Sequence, residues 1–269
     1  MASMQDFDGA VVIVTGGSSG LGRAIAEEVA RRGARAVAIS YVGDPRDGDE
    51  AADSVRALGA EPIMLVADVS DEADCRRTVE AVARYGRVDA LFNNAGTTIF
   101  ASDHADLDAV GPEDFDRIFR VNVTGAYLMV RAARSLLESA PRPGAVVNTS
   151  SFAAFGGMGS SVPYAASKGA LNTMTFALAR ALAPKIRVNA VCPGFMDSKW
   201  FKSLNQADMA DLRENIANSV PMRMASRPED IATAAVFLAS PGALHITGET
   251  LLVDAGLHLG PAVAKLESN

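Results

Sequence analysis

Cysteine and histidine are scarce in this chain, and their scarcity excludes several kinds of site. The 269 residues include only two cysteines, Cys75 and Cys192, which are far apart and have no CxxC spacing. We therefore expect two buried thiols in a reducing compartment and no cysteine-ligated metal. The three histidines, His104, His245 and His258, lack metal-ligand spacing, so no metal site is predicted.

Positive charge and long apolar runs are scarce as well. With 25 basic and 32 acidic residues, the formal net charge is −7, so the chain has no excess of positive charge with which to bind a nucleic acid. No apolar run approaches the roughly 18 residues of a membrane span. The first ten residues, MASMQDFDGA, lack the basic and apolar regions of a signal peptide. We expect a cytoplasmic protein without nucleic-acid or membrane partners.

Short apolar, β-branched runs recur along the chain and alternate with amphipathic helical patterns. The runs are near-continuously apolar, which is typical of strands buried on both faces of a sheet. They are AVVIV (10–14), AVAIS (36–40), PIMLV (62–66), VDALF (88–92), AVVNTS (145–150), IRVNAV (186–191) and TLLVD (250–254). The helical patterns include 22–33, 71–86, 112–140 and 228–240.

This alternation predicts an α/β fold, a doubly wound parallel sheet with helices on both faces. No composition shift, proline-rich linker or internal repeat interrupts residues 1–269, so we predict a single domain. The stretch 193–220 is the one long segment that we expect to be irregular. Because loops of that length in compact domains are usually lids or binding loops, we interpret it as a substrate-loop insertion.

A glycine-rich stretch, TGGSSGLG (15–22), directly follows the first predicted strand and leads into the first predicted helix. Its glycines, Gly16, Gly20 and Gly22, allow a tight turn and a close approach of the backbone to a ligand. The free N–H groups at the start of the helix suit a pyrophosphate. A dinucleotide is therefore the predicted ligand.

Further motifs follow the glycine-rich stretch in a fixed order. They are DV (68–69), NNAG (93–96), VNVTG (121–125), VVNTSS (146–151), YAASK (164–168), PG (193–194), RPEDIA (227–232) and LLVDAG (251–256). Over residues 8–258 the set resembles the short-chain dehydrogenase/reductase family, in the compact form of 3-oxoacyl-ACP reductases and sugar dehydrogenases. The resemblance implies a Rossmann-type sheet of about seven strands in the order 3-2-1-4-5-6-7. It also implies an NAD(P)-dependent oxidoreductase that transfers a hydride between nicotinamide and a carbonyl or secondary alcohol.

Tyr164 and Lys168 are four positions apart, and no lysine precedes Lys168 in the chain. On a helix, residues at this spacing share a face with Cβ atoms about 5–6 Å apart, so both side chains can project toward one point. Lowering the tyrosine pKa from near 10 towards neutrality requires roughly 4 kcal/mol, which the ammonium and an oxidised, cationic nicotinamide can supply. We expect Tyr164 to be the general acid in reduction and the general base in oxidation.

The resemblance adds roles for three residues. Lys168 would also donate to the nicotinamide ribose, and Ser151, in preference to its neighbour Ser150, would orient the substrate carbonyl. Asn122 would hold a water that links Lys168 to solvent, the alternative being an asparagine satisfied by the backbone. The implied catalytic residues are Asn122, Ser151, Tyr164 and Lys168.

The resemblance also implies cofactor contacts spread over the strand ends. They are Gly16, Ser18, Ser19, Gly20, Leu21, Gly22, Ser40, Tyr41, Asp68, Val69, Asn94, Ala95, Gly96, Tyr164, Lys168, Pro193, Gly194 and Ser198. Asp68 would contact the adenine, and the NNAG turn would wall the cofactor site. Both could equally be turn-forming residues, because Asp and Asn readily bond to nearby backbone.

The end of the second strand bears on the choice of cofactor. Ser40 and Tyr41 stand where NAD-preferring relatives carry an aspartate that binds the ribose 2′-hydroxyl. Absence of the acid permits NADP, yet the basic residues typical of NADP enzymes are missing too, and only Arg46 follows soon after the strand. We predict NADP(H) over NAD(H).

The substrate, the alternative function and the assembly rest on the family alone. A 3-oxoacyl thioester, a polyol or sugar, a cyclic ketone and a steroid-like alcohol all suit the family as small-molecule substrates. The alternative to an enzyme is a catalytically silent nucleotide sensor or scaffold, although all four catalytic positions are kept. The family also implies a homotetramer, in which the helix that bears Tyr164 and the last strand and helix form interfaces.

Overall fold

The apolar runs form one parallel sheet in the computed structural model, which describes residues 5–101, 103–198, 200 and 206–260. The strands among these residues are β1 Val11–Thr15, β2 Ala36–Tyr41, β3 Glu61–Val66, β4 Ala90–Asn93, β5 Gly144–Thr149, β6 Ile186–Pro193 and β7 Thr250–Val253. Their order is β3-β2-β1-β4-β5-β6-β7 and all neighbours are parallel, which confirms the predicted fold and strand order. The order reverses between β1 and β4, and in such sheets ligands bind at the carboxyl ends there.

Helices connect the strands and cover both faces of the sheet. They are α1 Gly20–Arg31, α2 Pro45–Ala57, α3 Glu72–Glu80, α4 Pro112–Phe119, α5 Ala126–Glu138, α6 Ala153–Gly156, α7 Val162–Leu182, α8 Gln206–Ser219 and α9 Pro228–Ala239, with a π-helical segment Arg120–Gly125 between α4 and α5. In β1, Val12 and Val14 pack into a core with α1, α2 and α9, whereas Val11 and Ile13 pack into a core with α3, α5 and α7. Burial on both faces explains why the strands are apolar at nearly every position.

Short polar side chains and prolines fix where several helices begin. Asp44 caps α2 by accepting a hydrogen bond from the Arg46 N–H. Asp71 caps α3 by accepting from the N–H groups of Ala73 and Asp74. A proline lies in the first turn of α2, α4, α7 and α9, where its missing N–H would have had no intrahelical acceptor.

Two of the predicted helices are interrupted. The helix predicted at 71–86 is shorter in the structure, where α3 ends at Glu80. The chain then makes a 3₁₀ turn, Ala83–Tyr85, which is followed by Gly86 at φ 71°. The one predicted at 112–140 consists of α4, the π-helical segment and α5. The apolar periodicity continues through both interruptions, so the sequence pattern does not reveal them.

The prediction that 193–220 is an irregular loop is wrong for its second half. Helix α8, Gln206–Ser219, occupies fourteen of these residues. Its inward stripe is narrow, because Met209, Leu212 and Ile216 are only half-buried and most of the other side chains are exposed. A stripe this narrow does not stand out in the sequence.

Both cysteines are free and buried, which confirms the prediction of buried thiols. Cys75 lies in α3 and packs into the core from that helix. Cys192 lies in β6. Burial raises the pKa of each thiol to about 11, so neither is a reactive thiolate near neutral pH. Within the described ranges, none of the helices has the length and apolarity needed to span a bilayer.

Candidate active site

The four predicted catalytic side chains come from three elements at the carboxyl edge of the sheet. Ser151 directly follows β5, Tyr164 and Lys168 lie one turn apart on α7, and Asn122 lies in the π-helical segment. The start of α7 is fixed by Ser161, whose Oγ accepts from the Tyr164 N–H at 3.4 Å. The helix geometry therefore delivers Tyr164 and Lys168 to one side, next to the end of β5.

The side chain of Tyr164 is largely shielded from solvent. Its ring lies 6.0 Å from the Trp200 ring, centroid to centroid, and against Gly159, where an added Cβ would be 3.3 Å from Tyr164 Cδ1. Burial raises the pKa of Tyr164 to about 12, and the nearby Ser151 side chain, which acts to lower the pKa, offsets only part of that increase.

Lys168 is almost fully buried and points at the end of β5. Its Nζ donates to the Thr149 carbonyl at 2.7 Å and lies 5.6 Å from the centroid of the Tyr164 ring. Burial lowers the pKa of Lys168 to about 8, and the neighbouring Cys192 acts in the opposite direction. Near pH 7 the side chain is therefore still mostly an ammonium.

The predicted lowering of the Tyr164 pKa requires the Lys168 ammonium together with an oxidised, cationic nicotinamide, and it stays a prediction for that complex. In the protein by itself the Tyr164 pKa is raised. Burial dominates at both residues, because it disfavours the phenolate of one and the ammonium of the other. The ammonium also directs its short hydrogen bond to the Thr149 carbonyl.

Asn122 uses its side chain to join two segments of the site. Its Nδ2 donates to the Thr97 carbonyl and to Ser167 Oγ at 3.0 Å each, and its Oδ1 accepts from the Thr97 N–H at 2.8 Å. Ser167 Oγ in turn donates to the Tyr164 carbonyl at 2.7 Å. The side chain thus ties the segment after NNAG to α7, in a π-helical segment of the kind that is frequent at functional sites. The water-holding role of Asn122 stays a prediction.

The glycine-rich turn between β1 and α1 has the geometry of an anion cradle. Gly16 and Gly20 have φ angles of 63° and 53°, in the left-handed region that favours glycine. A Cβ added at Gly16 would lie 2.9 Å from Ala95 Cα. A Cβ added at Gly22 would lie 2.3 Å from the carbonyl oxygen of Gly16. No side chain caps the start of α1, so its first backbone N–H groups are available to an anion.

The NNAG turn is bonded to the glycine-rich turn. Asn94 Nδ2 donates to the carbonyls of Thr15 and Gly16 at 3.1 Å each. Thr15 Oγ1 accepts from the N–H groups of Asn94 and Ala95 at 3.0 Å each. An added Cβ at Gly96 would lie 3.7 Å from the Nζ of Lys168, so the turn connects the predicted cofactor cradle to the catalytic residues.

The residues predicted at the adenosine end lie at the ends of β2 and β3. Ser40 is buried and its Oγ has no hydrogen-bond partner, while its carbonyl accepts from the Gly17 N–H at 3.2 Å. The Tyr41 ring packs over α2 at Gly48, where an added Cβ would be 2.5 Å from Tyr41 Cζ. Arg46 is exposed and forms an ion pair with Asp44 at 2.6 Å, so its charge is already compensated locally.

Asp68 and Val69 follow β3 and have different surroundings. Asp68 is exposed, and its Oδ1 accepts from the Ser70 N–H at 2.8 Å, as expected of a turn-forming aspartate. Val69 is buried against Gly125 of the π-helical segment, where an added Cβ would lie 2.8 Å from Val69 Cγ2. Val69 therefore packs the end of β3 against the helix that carries Asn122.

The residues predicted after β6 return the chain to the glycine-rich turn. Gly194 is close to Asp254, since an added Cβ would lie 2.8 Å from Asp254 Cβ. The buried Asp254 carboxylate accepts from the His258 side chain at 2.8 Å. Ser198 Cβ would lie 3.7 Å from a Cβ added at Gly20. The segment after Pro193 thus places Ser198 beside the start of α1.

The family model described as enoyl-(acyl carrier protein) reductase matches residues 16–258, almost the whole chain. This chain belongs to the short-chain dehydrogenase/reductase family. The match spans the glycine-rich turn from Gly16, the NNAG turn and all four predicted catalytic positions. The resemblance in the sequence motifs is thereby confirmed, and the chain is an oxidoreductase of this family.

Known short-chain dehydrogenases/reductases resemble the chain over most of its length. A protein of Streptomyces violaceoruber, named as ketoacyl reductase 2 of granaticin polyketide synthase, is 41% identical, over 93% of this chain and 96% of that protein. A short-chain dehydrogenase/reductase from Burkholderia xenovorans is 42% identical with a TM-score of 0.85, covering 93% and 98% of the two chains. The NADP active-site complex of Pseudomonas aeruginosa RhlG is 31% identical with a TM-score of 0.85, covering 96% and 100%.

Several functional contacts of this short-chain dehydrogenase/reductase escaped the sequence reasoning. Thr15 joins the two turns, Thr149 receives the Lys168 ammonium, and Ser167 links Asn122 to α7. Thr15 and Thr149 are each the last residue of a strand. A polar residue at the carboxyl end of a buried parallel strand is therefore a signal that could have found them.

Proposed function

We propose that the protein is an NAD(P)(H)-dependent oxidoreductase that interconverts a carbonyl compound and its secondary alcohol, with Tyr164 as the general acid and base. The observation that supports this most is that Tyr164 and Ser151 lie together, close enough for Ser151 to act on the Tyr164 pKa, beside the buried Lys168 ammonium. A neutral phenol next to a serine hydroxyl is suited to hold a carbonyl oxygen and then protonate it. The catalytically silent alternative has no use for such a buried arrangement.

The residues present fit a dinucleotide. Gly16 and Gly22 allow the turn to fold tightly against the NNAG turn and on itself, since an added Cβ would collide with backbone atoms of Ala95 or Gly16. The uncapped start of α1 offers N–H groups to a pyrophosphate. Lys168 lies next to the NNAG turn and would anchor the nicotinamide ribose. The bound dinucleotide would supply the hydride.

The chain's own residues would handle orientation and the proton. Ser151 and Tyr164 would both donate to the substrate carbonyl oxygen, which aligns the carbonyl carbon to accept a hydride. As negative charge develops on that oxygen, the Tyr164 proton would transfer to it and the alcohol would form. Lys168 would then stabilise the phenolate, and the contacts of Asn122 with Thr97 and Ser167 would hold α7 in register with the NNAG turn.

We propose NADP(H) as the preferred dinucleotide over NAD(H). The end of β2 carries Ser40 and Tyr41 in place of the acid that would repel a 2′-phosphate, and a related structure contains NADP. Arg46 would have to leave Asp44 to contact that phosphate, so the expected preference is modest. Parallel titrations of the protein with NADPH and NADH measure it, and tighter binding of NADH by about tenfold or more would contradict it.

Replacing Tyr164 by Phe tests the proposed function. The variant keeps the ring that packs against Trp200 and Gly159 but removes the proton, so reduction should slow by about 10²–10⁴-fold while dinucleotide affinity is unchanged. The readouts are NADPH consumption across a panel of ketones and calorimetric titration with NADP. Full turnover by the Tyr164→Phe variant would contradict the role of Tyr164 as general acid and base. A wild-type protein that binds the dinucleotide without any turnover would favour the catalytically silent alternative.

We also propose that the protein is a cytoplasmic homotetramer in which α7 contributes to an interface. Gly169, Thr173 and Phe176 lie on one side of α7, at positions i, i+4 and i+7, and Phe176 is 47% exposed. A small residue next to an exposed aromatic ring on a helix allows a second helix to approach closely.

A further inference from the structure

The only tryptophan in the chain, Trp200, lies beside the proposed acid. Its ring centroid is 6.0 Å from that of Tyr164 and the ring planes meet at 54°, which is within the range of attractive aromatic pairs. The backbone N–H of Trp200 donates to Ser198 Oγ at 3.3 Å. The side chain is 37% exposed, so part of the indole surface is still open to a ligand.

The position of Ser198 shows on which side of Tyr164 the indole lies. Ser198 Cβ is within van der Waals reach of a Cβ added at Gly20, at 3.7 Å, next to the start of α1. Trp200 is two residues further along the chain, and its ring packs near that of Tyr164. Ser198 therefore lies beside the dinucleotide cradle and Trp200 beside the proposed acid, so the indole borders the space in which a carbonyl would sit.

Two segments that contribute to the site carry no charge. Neither 93–101 nor 150–165 contains an acidic or basic residue. Both expose large apolar side chains, since Phe100 is 52% exposed, Phe155 50% and Met158 60%. The exposed surface of these two segments is therefore largely aromatic and aliphatic.

The hydroxyl groups of these segments are largely engaged with the protein. Thr98 Oγ1 and Ser160 Oγ are hydrogen-bonded to each other, and Thr98 Oγ1 also donates to the Ile99 carbonyl at 3.1 Å. Ser151 Oγ accepts from the Ala153 N–H at 3.1 Å. A polyol would thus find few unengaged partners here, whereas a flat apolar group would find the indole face.

We propose that Trp200 is a specificity-determining residue, whose indole forms one wall of the substrate subsite and selects carbonyl compounds that carry a flat cyclic group next to the carbonyl. The inference rests on the proposed function, because it states which carbonyl compounds Tyr164 protonates. Packing of a flat ring against the indole adds attraction beyond simple burial of area, and aromatic pairs gain enough to change affinity by up to about tenfold.

Two ketones with equal carbon number, bicyclic 2-tetralone and open-chain 2-decanone, test the proposal with NADPH as reductant. Wild-type enzyme should prefer 2-tetralone. Trp200→Ala should lower kcat/KM for 2-tetralone by about tenfold, mainly through KM, and change that for 2-decanone by less than about twofold. Trp200→Phe, which keeps a flat ring, should restore most of the preference.

A matched control removes an aromatic ring elsewhere. Phe237, near the end of α9, is 42% exposed and packs beside Gly242, at the edge where the strands begin. Phe237→Ala should leave the ratio of kcat/KM for the two ketones unchanged.

Intrinsic fluorescence gives a readout that does not depend on turnover. Because Trp200 is the only tryptophan, the emission reports its surroundings alone. In the Tyr164→Phe variant saturated with NADP, 2-tetralone should alter the emission and 2-decanone should not.

The outcomes separate the two proposals. Equal losses for both ketones in Trp200→Ala, no loss for either, no preference by the wild type, or a wild type that reduces neither ketone would overturn the role of Trp200. Tryptophan emission that does not change when 2-tetralone is added would also overturn the role of Trp200. Undiminished turnover by Tyr164→Phe would instead overturn the proposed function, whatever the ratio of the two ketones.

Discussion

Tyr164 and Lys168 are ionisable groups whose protonation is set by how little water reaches them. With its pKa raised to about 12 by burial, Tyr164 is a neutral phenol at every physiological pH. With its pKa lowered to about 8 by burial, Lys168 loses its charge on the alkaline side of neutrality. The protein by itself is therefore prepared to protonate a carbonyl, and the opposite direction needs a phenolate that must be generated.

We expect kcat/KM for reduction to be constant from about pH 6 to about 8 and to fall above about 8, since kcat/KM reports the ionisation of the free enzyme. Tyr164 keeps its proton throughout that range, so the fall would follow loss of the Lys168 charge. Oxidation should instead rise with pH, because it requires the phenolate. Both profiles are measured by following the absorbance of NADPH at constant ionic strength.

The variant Lys168→Arg is the control for that assignment. An arginine side chain stays protonated, so the slower variant should lose the alkaline fall in reduction. A fall that persists unchanged in Lys168→Arg would contradict the role given to the Lys168 charge.

Which side chains share a helix face was predictable from their spacing in the sequence. The direction of a pKa shift was not predictable where burial determines it. The spacing of four residues from Tyr164 to Lys168 fixes a shared helix face, and the proximity of Tyr164 to Ser151 follows from the meeting of β5 and α7. The direction of the Tyr164 pKa shift depends on the packing of Trp200 and Gly159 around the ring. No local pattern contains that information, because these residues reach Tyr164 through tertiary structure.

At the scale of elements, Arg187 of β6 shows how the sheet holds a helix end. Its guanidinium donates to the carbonyls of Leu238 and Ile246 at 2.8 and 3.2 Å, and to those of Ala239 and Ser240 at 3.2 and 3.3 Å. Helix α9 ends at Ala239, so a buried cation satisfies carbonyls that have no intrahelical donor and faces the negative end of the helix dipole. Burial lowers the pKa of Arg187, which is the electrostatic cost of this arrangement.

Arg187→Met should lower the free energy of unfolding by about 2–3 kcal/mol, because methionine fills the space but leaves buried carbonyls unsatisfied. Urea denaturation with an unchanged m-value measures the loss. Arg187→Lys should give an intermediate value, since one ammonium cannot reach as many carbonyls as the guanidinium. Arg56→Met, which removes an exposed ion pair with Asp53, should cost less than about 0.5 kcal/mol, and a similar cost for Arg56 and Arg187 would contradict this account.

Element boundaries were less predictable from sequence than the elements themselves. The strands follow from continuous apolar runs, since both sheet faces are covered. The π-helical segment at 120–125 keeps the apolar periodicity of its neighbours and is held by Asn122, whose partners Thr97 and Ser167 are distant in sequence. Interruptions made by such contacts leave no mark in a local pattern.

At the scale of the whole molecule, α7 serves two surfaces. Its inner side packs into the chain, with Leu171 and Ala179 buried, and presents Tyr164 and Lys168 to the site. Its outer side carries Gly169, Thr173 and Phe176. If subunits pack along this outer side, assembly stiffens the helix that carries the proposed acid and base, so the oligomer and the active site share one element.

Gly169→Leu should dissociate the proposed tetramer while leaving the subunit folded. Among the residues that the structure describes, no atom lies within 4 Å of a Cβ added at Gly169, so the new side chain starts in open space. The replacement of a helix glycine also favours the helix by up to about 1 kcal/mol. We therefore expect the obstacle to the leucine to come from another subunit. Light scattering should show a tetramer for wild type and a smaller species for Gly169→Leu, with the same helical circular dichroism.

Asp49→Leu, on the exposed side of α2, is the control, because it adds an equally apolar side chain elsewhere and should remain tetrameric. A wild-type monomer, or a Gly169→Leu variant that stays tetrameric, would contradict packing through this side of α7.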